Sequence, residues 1–169
     1  MEEMLDVFDI DGNYLGVKSR TFCHSENPGV YHKPVWIWIK NSDGKVLVQK
    51  RAMCKKQWPG LWDMPSAGHV DAGEDLLTAC VRETEEELGI HFDKSEFKFI
   101  KQWYMPDEWE LGQIYLLTTD VKAEDMTLQV EEVEEVKWLD YEEFKELFYS
   151  PAFCTYDEDY RSFVLDLLK

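Results

Sequence analysis

The segment from residue 68 to residue 90, GHVDAGEDLLTACVRETEEELGI, most constrains what this chain can fold into. At about 100° of rotation per residue, the segment predicts a helix over Glu74–Leu88 with one apolar stripe. Gly89 stands where a C-terminal cap is expected, because glycine readily adopts the left-handed conformation found there. The residues predicted to face the core are Leu77, Cys80, Val81, Thr84 and Leu88.

The carboxylates of Glu83, Glu86 and Glu87 fall within a narrow arc on another side of this helix, whereas Glu85 faces away from them. Like charges three or four residues apart repel by about 0.2–0.5 kcal/mol per pair. An acidic face in solvent would tolerate that repulsion. A divalent cation such as Mg²⁺ would remove it, since Mg²⁺ prefers oxygen ligands. The helical periodicity alone leaves both interpretations open.

Length, charge and cysteine content exclude several classes of protein. The 169 residues can bury a substantial core, and we predict a single domain over residues 1–169. The net charge of −17 argues against a nucleic-acid polymer as partner, since such binding needs a basic face, but a local basic pocket could still hold a small phosphorylated ligand. The four widely spaced cysteines suggest neither a zinc site nor a disulfide framework. No apolar run reaches the roughly 18 residues of a membrane span, and the acidic start MEEMLDVFD is unlike a signal peptide, so we expect a cytoplasmic location and no membrane partner.

The remaining pattern predicts a mixed α/β fold. Two β-hairpins are expected, one turning at Asp11-Gly12 and one at residues 41–44, NSDG. Further strands are predicted within residues 96–104, 112–121 and 135–140, and further helices at residues 141–149 and 157–169. This order suggests a mixed sheet flanked by helices. We assign the N-terminal hairpin, residues 1–30, as an extension of a core that spans residues 31–169.

The spacing in the opening segment resembles the signature of the Nudix family, G-x5-E-x7-R-E-U-x-E-E-x-G-U, where U is aliphatic. It begins at Gly68 and ends at Ile90, and every defined position matches except Thr84, where an aliphatic residue is usual. The resemblance implies the Nudix fold, a mixed β-sheet sandwiched between helices (α/β/α). It also implies a loop and helix that hold Mg²⁺ or Mn²⁺.

Carried over residue by residue, the resemblance makes Glu83, Glu86 and Glu87 metal ligands and catalytic residues. Glu74 and Arg82 would brace the loop against the helix by ion pairing. The family's reaction is hydrolysis of a nucleoside diphosphate linked to another moiety, so the implied partner is a small-molecule diphosphate. The resemblance also leaves a homodimer open, with the N-terminal hairpin as a candidate interface.

The segment before the signature, QKRAMCKKQWPGLWDMPSAGHV, is similar to the isopentenyl diphosphate isomerases, a branch with the same fold. Arg51 and Lys55 would contact the substrate diphosphate, and Lys56 is either a further contact or a solvated side chain. The isomerases also hold a metal with histidines and an E-x-E pair. The matching residues here are His24, His32, His69, Glu108 and Glu110, of which we expect His69 to be a metal ligand.

Two departures argue against isomerase activity. The isomerases carry a catalytic cysteine immediately before the loop glycine, where this chain has Ala67. They also degrade the glutamate signature, which this chain keeps. We therefore expect a metal-dependent Nudix hydrolase that cleaves a pyrophosphate bond. The alternatives are an isopentenyl-diphosphate delta-isomerase and a non-catalytic ligand-binding module.

The general base is open. The signature glutamates could include it, and Glu110 is the preferred candidate outside them. Other candidates are Glu108, Glu131, Glu132, Glu134 and Glu135. Five aromatic residues lie near the expected site in sequence, and one of them could stack on a nucleobase or cover an isoprenoid chain. They are Trp58, Trp62, Trp103, Tyr104 and Trp109.

Overall fold

The computed structural model describes residues 2–26 and 28–169. An N-terminal hairpin pairs β1 (Met4–Phe8) with β2 (Tyr14–Ser19) in antiparallel register. Its turn includes Gly12, whose φ of 84° lies in the left-handed region that favours glycine. A single helical turn, α1 (Arg20–Cys23), follows directly and is capped by the Ser19 hydroxyl, which accepts from the backbone N–H of Phe22.

Within the described residues, the main sheet has seven strands. They are β3 (Val35–Lys40), β4 (Val46–Arg51), β5 (Trp62–Asp63), β6 (Ser66–Gly68), β7 (Lys98–Met105), β8 (Glu110–Thr118) and β9 (Val133–Leu139). Three longer helices accompany the sheet: α2 (Leu76–Leu88), α3 (Tyr141–Phe148) and α4 (Glu158–Leu168). Short 3-10 turns occur at Lys94–Glu96, Pro106–Glu108 and Ala123–Asp125.

The pairing of the strands makes room for a cleft. β3 lies parallel to β8 and antiparallel to β6, whereas β4 lies antiparallel to β5 and β9. The paired positions of β3 and β4 are Lys40 and Val46, next to the turn that connects them. The two strands otherwise pair with different neighbours, so the sheet has two parts that join at that turn.

Alternation along β3, VWIWIK, builds one core on each face of the sheet, as expected for a strand covered on both sides. Val35, Ile37 and Ile39 belong to the cluster that contains the buried residues of α2. Trp36 and Trp38 belong to the cluster formed with α3 and α4. The predicted α/β/α arrangement and the N-terminal hairpin are thus confirmed.

The predicted helices and longer strands are present, with differences in detail. β5, β6 and α1 were not predicted, because elements of two to four residues carry no readable periodicity. The Nudix-like helix begins at Leu76 rather than Glu74. The carboxylate of Asp75 accepts from the backbone N–H groups of Leu77 and Thr78 and so caps the helix, which leaves Glu74 in the loop.

The predicted core stripe of α2 is confirmed. Cys80, Thr84 and Leu88 are buried, and Leu77 and Val81 pack partly buried against the same cluster. The Thr84 hydroxyl donates to the carbonyl of Cys80 at 2.9 Å, which satisfies the polar group at the one departure from the signature. All four cysteines are free thiols. Within the residues described, no helix has the length and apolar character needed to cross a bilayer.

Replacing Tyr160 with Phe should destabilise the fold. The indole N–H of Trp38 donates to the Tyr160 hydroxyl at 3.1 Å, and both residues are fully buried. Because the substitution leaves that N–H unsatisfied, we expect a loss of about 1–3 kcal/mol in the free energy of unfolding, measured by denaturant titration. Tyr149→Phe, the same change at an exposed hydroxyl bonded to Glu158, should cost less than about 0.5 kcal/mol. Equal losses of unfolding free energy in the two variants would show that the buried Trp38–Tyr160 hydrogen bond does not contribute to stability.

Candidate active site

Glu83, Glu86 and Glu87 line a cleft of about 420 Å³. α2 contributes one wall, and the ends of β4, β6 and β8 and the loop before β9 contribute the others. Most lining residues are charged or polar: Glu3, Arg20, Arg51, Lys55, His69, Asp71, Arg82, Glu83, Glu86, Glu87, Glu110, Gln129 and Glu132. The remaining ones are Gly68 and three apolar residues: Pro34, Trp36 and Ala67. The cleft is therefore suited to a polar, charged ligand.

Gly68 determines where the Glu83 carboxylate can lie. A Cβ atom at residue 68 would be 1.9 Å from Glu83 Cδ, so no side chain fits there unless Glu83 moves. The adjacent backbone N–H of Ala67 donates to Glu87 Oε2 at 3.3 Å. Strand β6 thus holds two carboxylates of the helix in place, one by its lack of a side chain and one by a hydrogen bond.

Arg82 binds the loop to the helix. Its guanidinium donates to both oxygens of Glu74, at 3.0 and 2.9 Å, and to the carbonyl of His69 at 2.9 Å. It also donates to Glu83 Oε1 at 2.7 Å and lies 3.5 Å from Glu86 Oε2. The expected brace between Glu74 and Arg82 is therefore formed, and the same guanidinium orients two of the three signature carboxylates.

The carboxylates of the site are held in an unfavourable environment for negative charge. Burial, with a smaller contribution from the charge of Glu83, raises the pKa of Glu87 to about 8. Burial also raises the pKa of Glu83 to about 7, although the Arg82 guanidinium opposes that shift. Oxygen donors confined in this way suit a hard divalent cation, whose charge would favour their ionised forms.

Arg51 and Lys55, the predicted diphosphate contacts, both lie at the cleft. Arg51 donates to Asp63 Oδ2 at 3.1 Å and to the carbonyl of Gln57 at 3.2 Å. The Lys55 ammonium contacts the carboxylate of Glu132. Lys56 is exposed and lines an adjoining cavity, which Arg20, Arg51 and Lys55 also line.

Three histidines and Glu110 converge at the edge of this cleft. His24, His32, His69 and Glu110 each offer one ligand atom, and these atoms all lie within 4.8 Å of one another. His24 Nε2 is 3.0 Å from His69 Nε2, and His32 Nε2 is 3.3 Å from Glu110 Oε1. Glu108 does not belong to this group in the part of the chain that the structure describes. The fold therefore brings together four of the five residues that the similarity to the isomerases identified.

His32 is the least satisfied side chain of this cluster. It is only 1% exposed, and neither of its ring nitrogens has a hydrogen-bond partner of acceptable geometry within the described residues. Partial burial, together with the neighbouring His32 and His69, lowers the pKa of His24 to about 4. Neutral imidazoles are the form that binds metals. The donor set fits a divalent cation that accepts nitrogen ligands.

Sequence reasoning did not place Trp36 or Glu3 at the cleft, and it left Glu132 as one of several candidate bases. Trp36 lines the cleft from β3, and Glu3 reaches His69 Nδ1 from the N-terminal hairpin at 3.0 Å. Glu132 is the single member of the later acidic run that lines the cleft in the described chain. Strand alternation could have placed Trp36 on one face of the sheet but not beside the glutamates. Nothing in the sequence links Glu3 to a loop 66 residues away.

The suggestion that one of five nearby aromatic residues contacts the ligand is not supported. None of Trp58, Trp62, Trp103, Tyr104 and Trp109 lines the cleft in the part of the chain described. The ring centroid of Trp103 lies 5.2 Å from that of Tyr160, in the core. Proximity in sequence does not decide which side chains enter the cleft, and two of the five, Trp58 and Trp109, lie outside the strands.

The profile of the NUDIX domain family matches residues 30–157. The chain belongs to the Nudix family. It is 37% identical over 170 residues to Nudix hydrolase 3 of Arabidopsis thaliana, a match that covers 92% of this chain but only 22% of that protein. It is also 33% identical over 147 residues to an isopentenyl-diphosphate Delta-isomerase of Serratia proteamaculans, covering 85% of this chain and 79% of the isomerase.

A solved structure from Deinococcus radiodurans shares the fold, with a TM-score of 0.73 and 20% identity over 98% of this chain and 97% of that one. The family match and the names of the relatives support a hydrolase enzyme, with isomerases among its relatives.

The raised pKa values of Glu83 and Glu87 predict how stability depends on pH. A carboxyl whose pKa is higher in the folded state than its ordinary 4.5 contributes stability that is complete below about pH 4.5 and is lost as the pH rises through 7 to 8. In EDTA, the melting temperature should therefore fall between pH 5 and pH 8.5. Glu87→Gln, which is neutral at every pH, should reduce this fall, and Mg²⁺ should raise the melting temperature more at pH 8 than at pH 5.5.

Glu85→Gln is the matched control, because it removes one carboxylate from the exposed side of the same helix. It should leave the pH dependence unchanged. If the melting temperature fell equally steeply with pH in the wild-type protein and in Glu87→Gln, the raised pKa of Glu87 would be contradicted.

Proposed function

We propose that this protein is a divalent-metal-dependent hydrolase that cleaves the pyrophosphate bond of a nucleoside diphosphate-X or a related diphosphate compound. The observation that carries the proposal is the convergence of Glu83, Glu86 and Glu87 on a polar cleft that Arg51 and Lys55 also line. Carboxylates for a cation and basic groups for phosphate oxygens are the two requirements of a diphosphate site.

Glu83, Glu86 and Glu87 would hold Mg²⁺ or Mn²⁺. Bound there, the metal would neutralise charge on the phosphoryl oxygens and lower the pKa of an attacking water. Arg82 keeps the carboxylates oriented before the substrate arrives, and Gly68 leaves the space they need.

Arg51 and Lys55 bind the phosphate oxygens of the substrate. Both side chains already have acidic partners, Asp63 and Glu132, so the substrate must compete with those carboxylates. A diphosphate can do so because it offers several charged oxygens and a bidentate geometry that suits a guanidinium.

Outside the helix, Glu110 and Glu132 line the cleft and could accept the proton of the attacking water. While the neighbouring histidine cluster holds no metal, Glu110 is the preferred acceptor, because Glu132 is engaged by Lys55. Glu131, Glu134 and Glu135 are exposed, and Glu134 pairs with Lys50 at 3.0 Å. These three remain surface carboxylates in the proposed mechanism.

Isomerisation of isopentenyl diphosphate is the less favoured function. A double-bond shift needs an acid and a base at carbon, and the alanine side chain at residue 67 can serve as neither. Apart from Ala67, the apolar lining of the cleft consists of Pro34 and Trp36. That area offers little cover for a hydrocarbon chain.

Glu86→Gln and Glu87→Gln should each lower metal-dependent hydrolysis by about 100-fold or more, because even the residues around metal ligands cost 10–100-fold when replaced. The assay is phosphate or nucleoside monophosphate release in a screen of nucleoside triphosphates, sugar nucleotides, dinucleotides, coenzyme A and isoprenoid diphosphates, with Mg²⁺ or Mn²⁺. Glu85→Gln is the matched control and should retain activity.

Unchanged turnover in either variant would contradict the metal-ligand assignment. Incorporation of deuterium from solvent into the carbon skeleton of isopentenyl diphosphate would instead support the isomerase.

We also propose a second metal site at His24, His32, His69 and Glu110. The observation that favours it is His32, whose buried ring nitrogens both lack a good partner within the described chain. Glu3 bonds to the other nitrogen of His69, as carboxylates commonly do behind a metal-binding imidazole. Occupation of this site would commit Glu110 to the metal, so that Glu132 would replace it as the acceptor of the proton, in competition with Lys55.

Titration with Co²⁺ tests this second site by visible absorption, since nitrogen ligands give the ion stronger bands than water does. The wild-type protein should develop such bands, and His24→Ala should weaken Co²⁺ binding by about tenfold or more. His91→Ala removes an exposed histidine that contacts Glu85 and should have no effect. Identical titrations of His24→Ala and the wild-type protein would rule out the site.

A further inference from the structure

Trp36 forms part of the floor of the cleft. It is 6% exposed, and it stands in β3 directly beside Ala67 of β6 and Ile114 of β8. The other lining residues of comparable burial are Pro34 and Glu87. The charged residues at the mouth, such as Glu86, are far more exposed. The indole therefore lies at the inner end of the cavity.

The neighbouring strand makes room for this ring. A Cβ atom at Gly112 would be 2.4 Å from Trp36 Cη2 and 2.5 Å from Cζ3. Gly112 is not among the glycines with positive φ, so its backbone conformation does not require glycine. Glycine is required at residue 112 because the Trp36 indole occupies the space that a side chain would need. The position of Trp36 thus depends on a second residue that has no other evident need to lack a side chain.

An apolar region lies directly behind the indole. Trp36 belongs to the same buried cluster as Ile114 and Tyr160, and its ring meets that of Tyr160 edge-on with centroids 5.6 Å apart. The front of the cleft is charged and its back is hydrocarbon. Trp36 separates the two, and removing the indole would join them.

We propose that Trp36 is a specificity-determining residue, which closes the inner end of the cleft and excludes the hydrocarbon group of a diphosphate from the core behind it. The inference rests on the proposed function, since it assumes that the diphosphate binds at Glu83, Glu86 and Glu87. It assigns the site to polar diphosphates and explains, through a residue other than Ala67, why a prenyl or alkyl diphosphate would fit poorly.

The test measures affinity for alkyl methylenebisphosphonates with chains of two, five and ten carbons, in Mg²⁺, by isothermal titration calorimetry. These compounds resist hydrolysis, so binding is read without turnover. The wild-type affinity should not improve with chain length. In Trp36→Ala, the five-carbon compound should bind tighter than the two-carbon compound by about tenfold or more, because each buried methylene is worth roughly fourfold. Apolar cavities of about 150 Å³ accept groups of this size.

Trp36→Phe and Trp36→Leu keep the test interpretable if the alanine variant folds poorly, and the gain should increase with the volume removed. Trp103→Leu is the matched control. Its ring also packs edge-on against Tyr160, with centroids 5.2 Å apart, but it does not line the cleft in the described chain.

Chain-length independence in the folded Trp36 variants would overturn the inference about Trp36 alone, as would an equal gain in Trp103→Leu. A wild-type protein that already prefers the longer chains would do the same. Failure of the wild-type protein to bind the two-carbon compound would overturn the proposed function, and this inference with it.

Discussion

The site depends on the guanidinium of Arg82 and the carboxylates around it. Glu87 is buried and Glu83 largely so, where negative charge is unfavourable, and Arg82 is the positive partner that Glu83 has within the described residues. The same side chain holds Glu74 and the carbonyl of His69, so the loop and the helix cannot separate without losing several charge-assisted hydrogen bonds. The fold therefore positions acidic groups close together before any cation binds, and a cation would gain from an arrangement already in place.

The sheet supplies the second constraint. β3 and β4 diverge from their connecting turn and pair with different neighbours, which brings the ends of β4, β6 and β8 around one cleft. Basic side chains enter it from β4 and the loop after it, and Glu132 enters from the loop before β9. The N-terminal hairpin adds Glu3 behind His69. The charged front and the apolar back of the cleft meet at Trp36, where Gly112 leaves space for the indole.

Sequence reasoning worked best where the determinants are local. The 3.6-residue period identified the buried stripe of α2, including Thr84, and the spacing from Gly68 to Ile90 identified the family. It was less reliable at boundaries, since Asp75 caps the helix and leaves Glu74 in the loop as an ion-pair partner of Arg82. It could not choose among the aromatic residues near the site in sequence, and none of the five lines the cleft in the part of the chain described. It could not predict that Glu3 and Trp36 line the cleft, or that Glu132 does so rather than its acidic neighbours.

The sequence by itself determined the mixed α/β architecture, the family, and the helix face that carries three carboxylates, because periodicity and spacing along one segment suffice for these. Only the tertiary structure decided that His24, His32, His69 and Glu110 converge within 4.8 Å, since they come from four separate segments. It alone decided that Arg51 and Lys55 already have acidic partners and that an indole closes the cleft. Contacts between distant segments depend on how the sheet pairs and twists, and no local pattern records that.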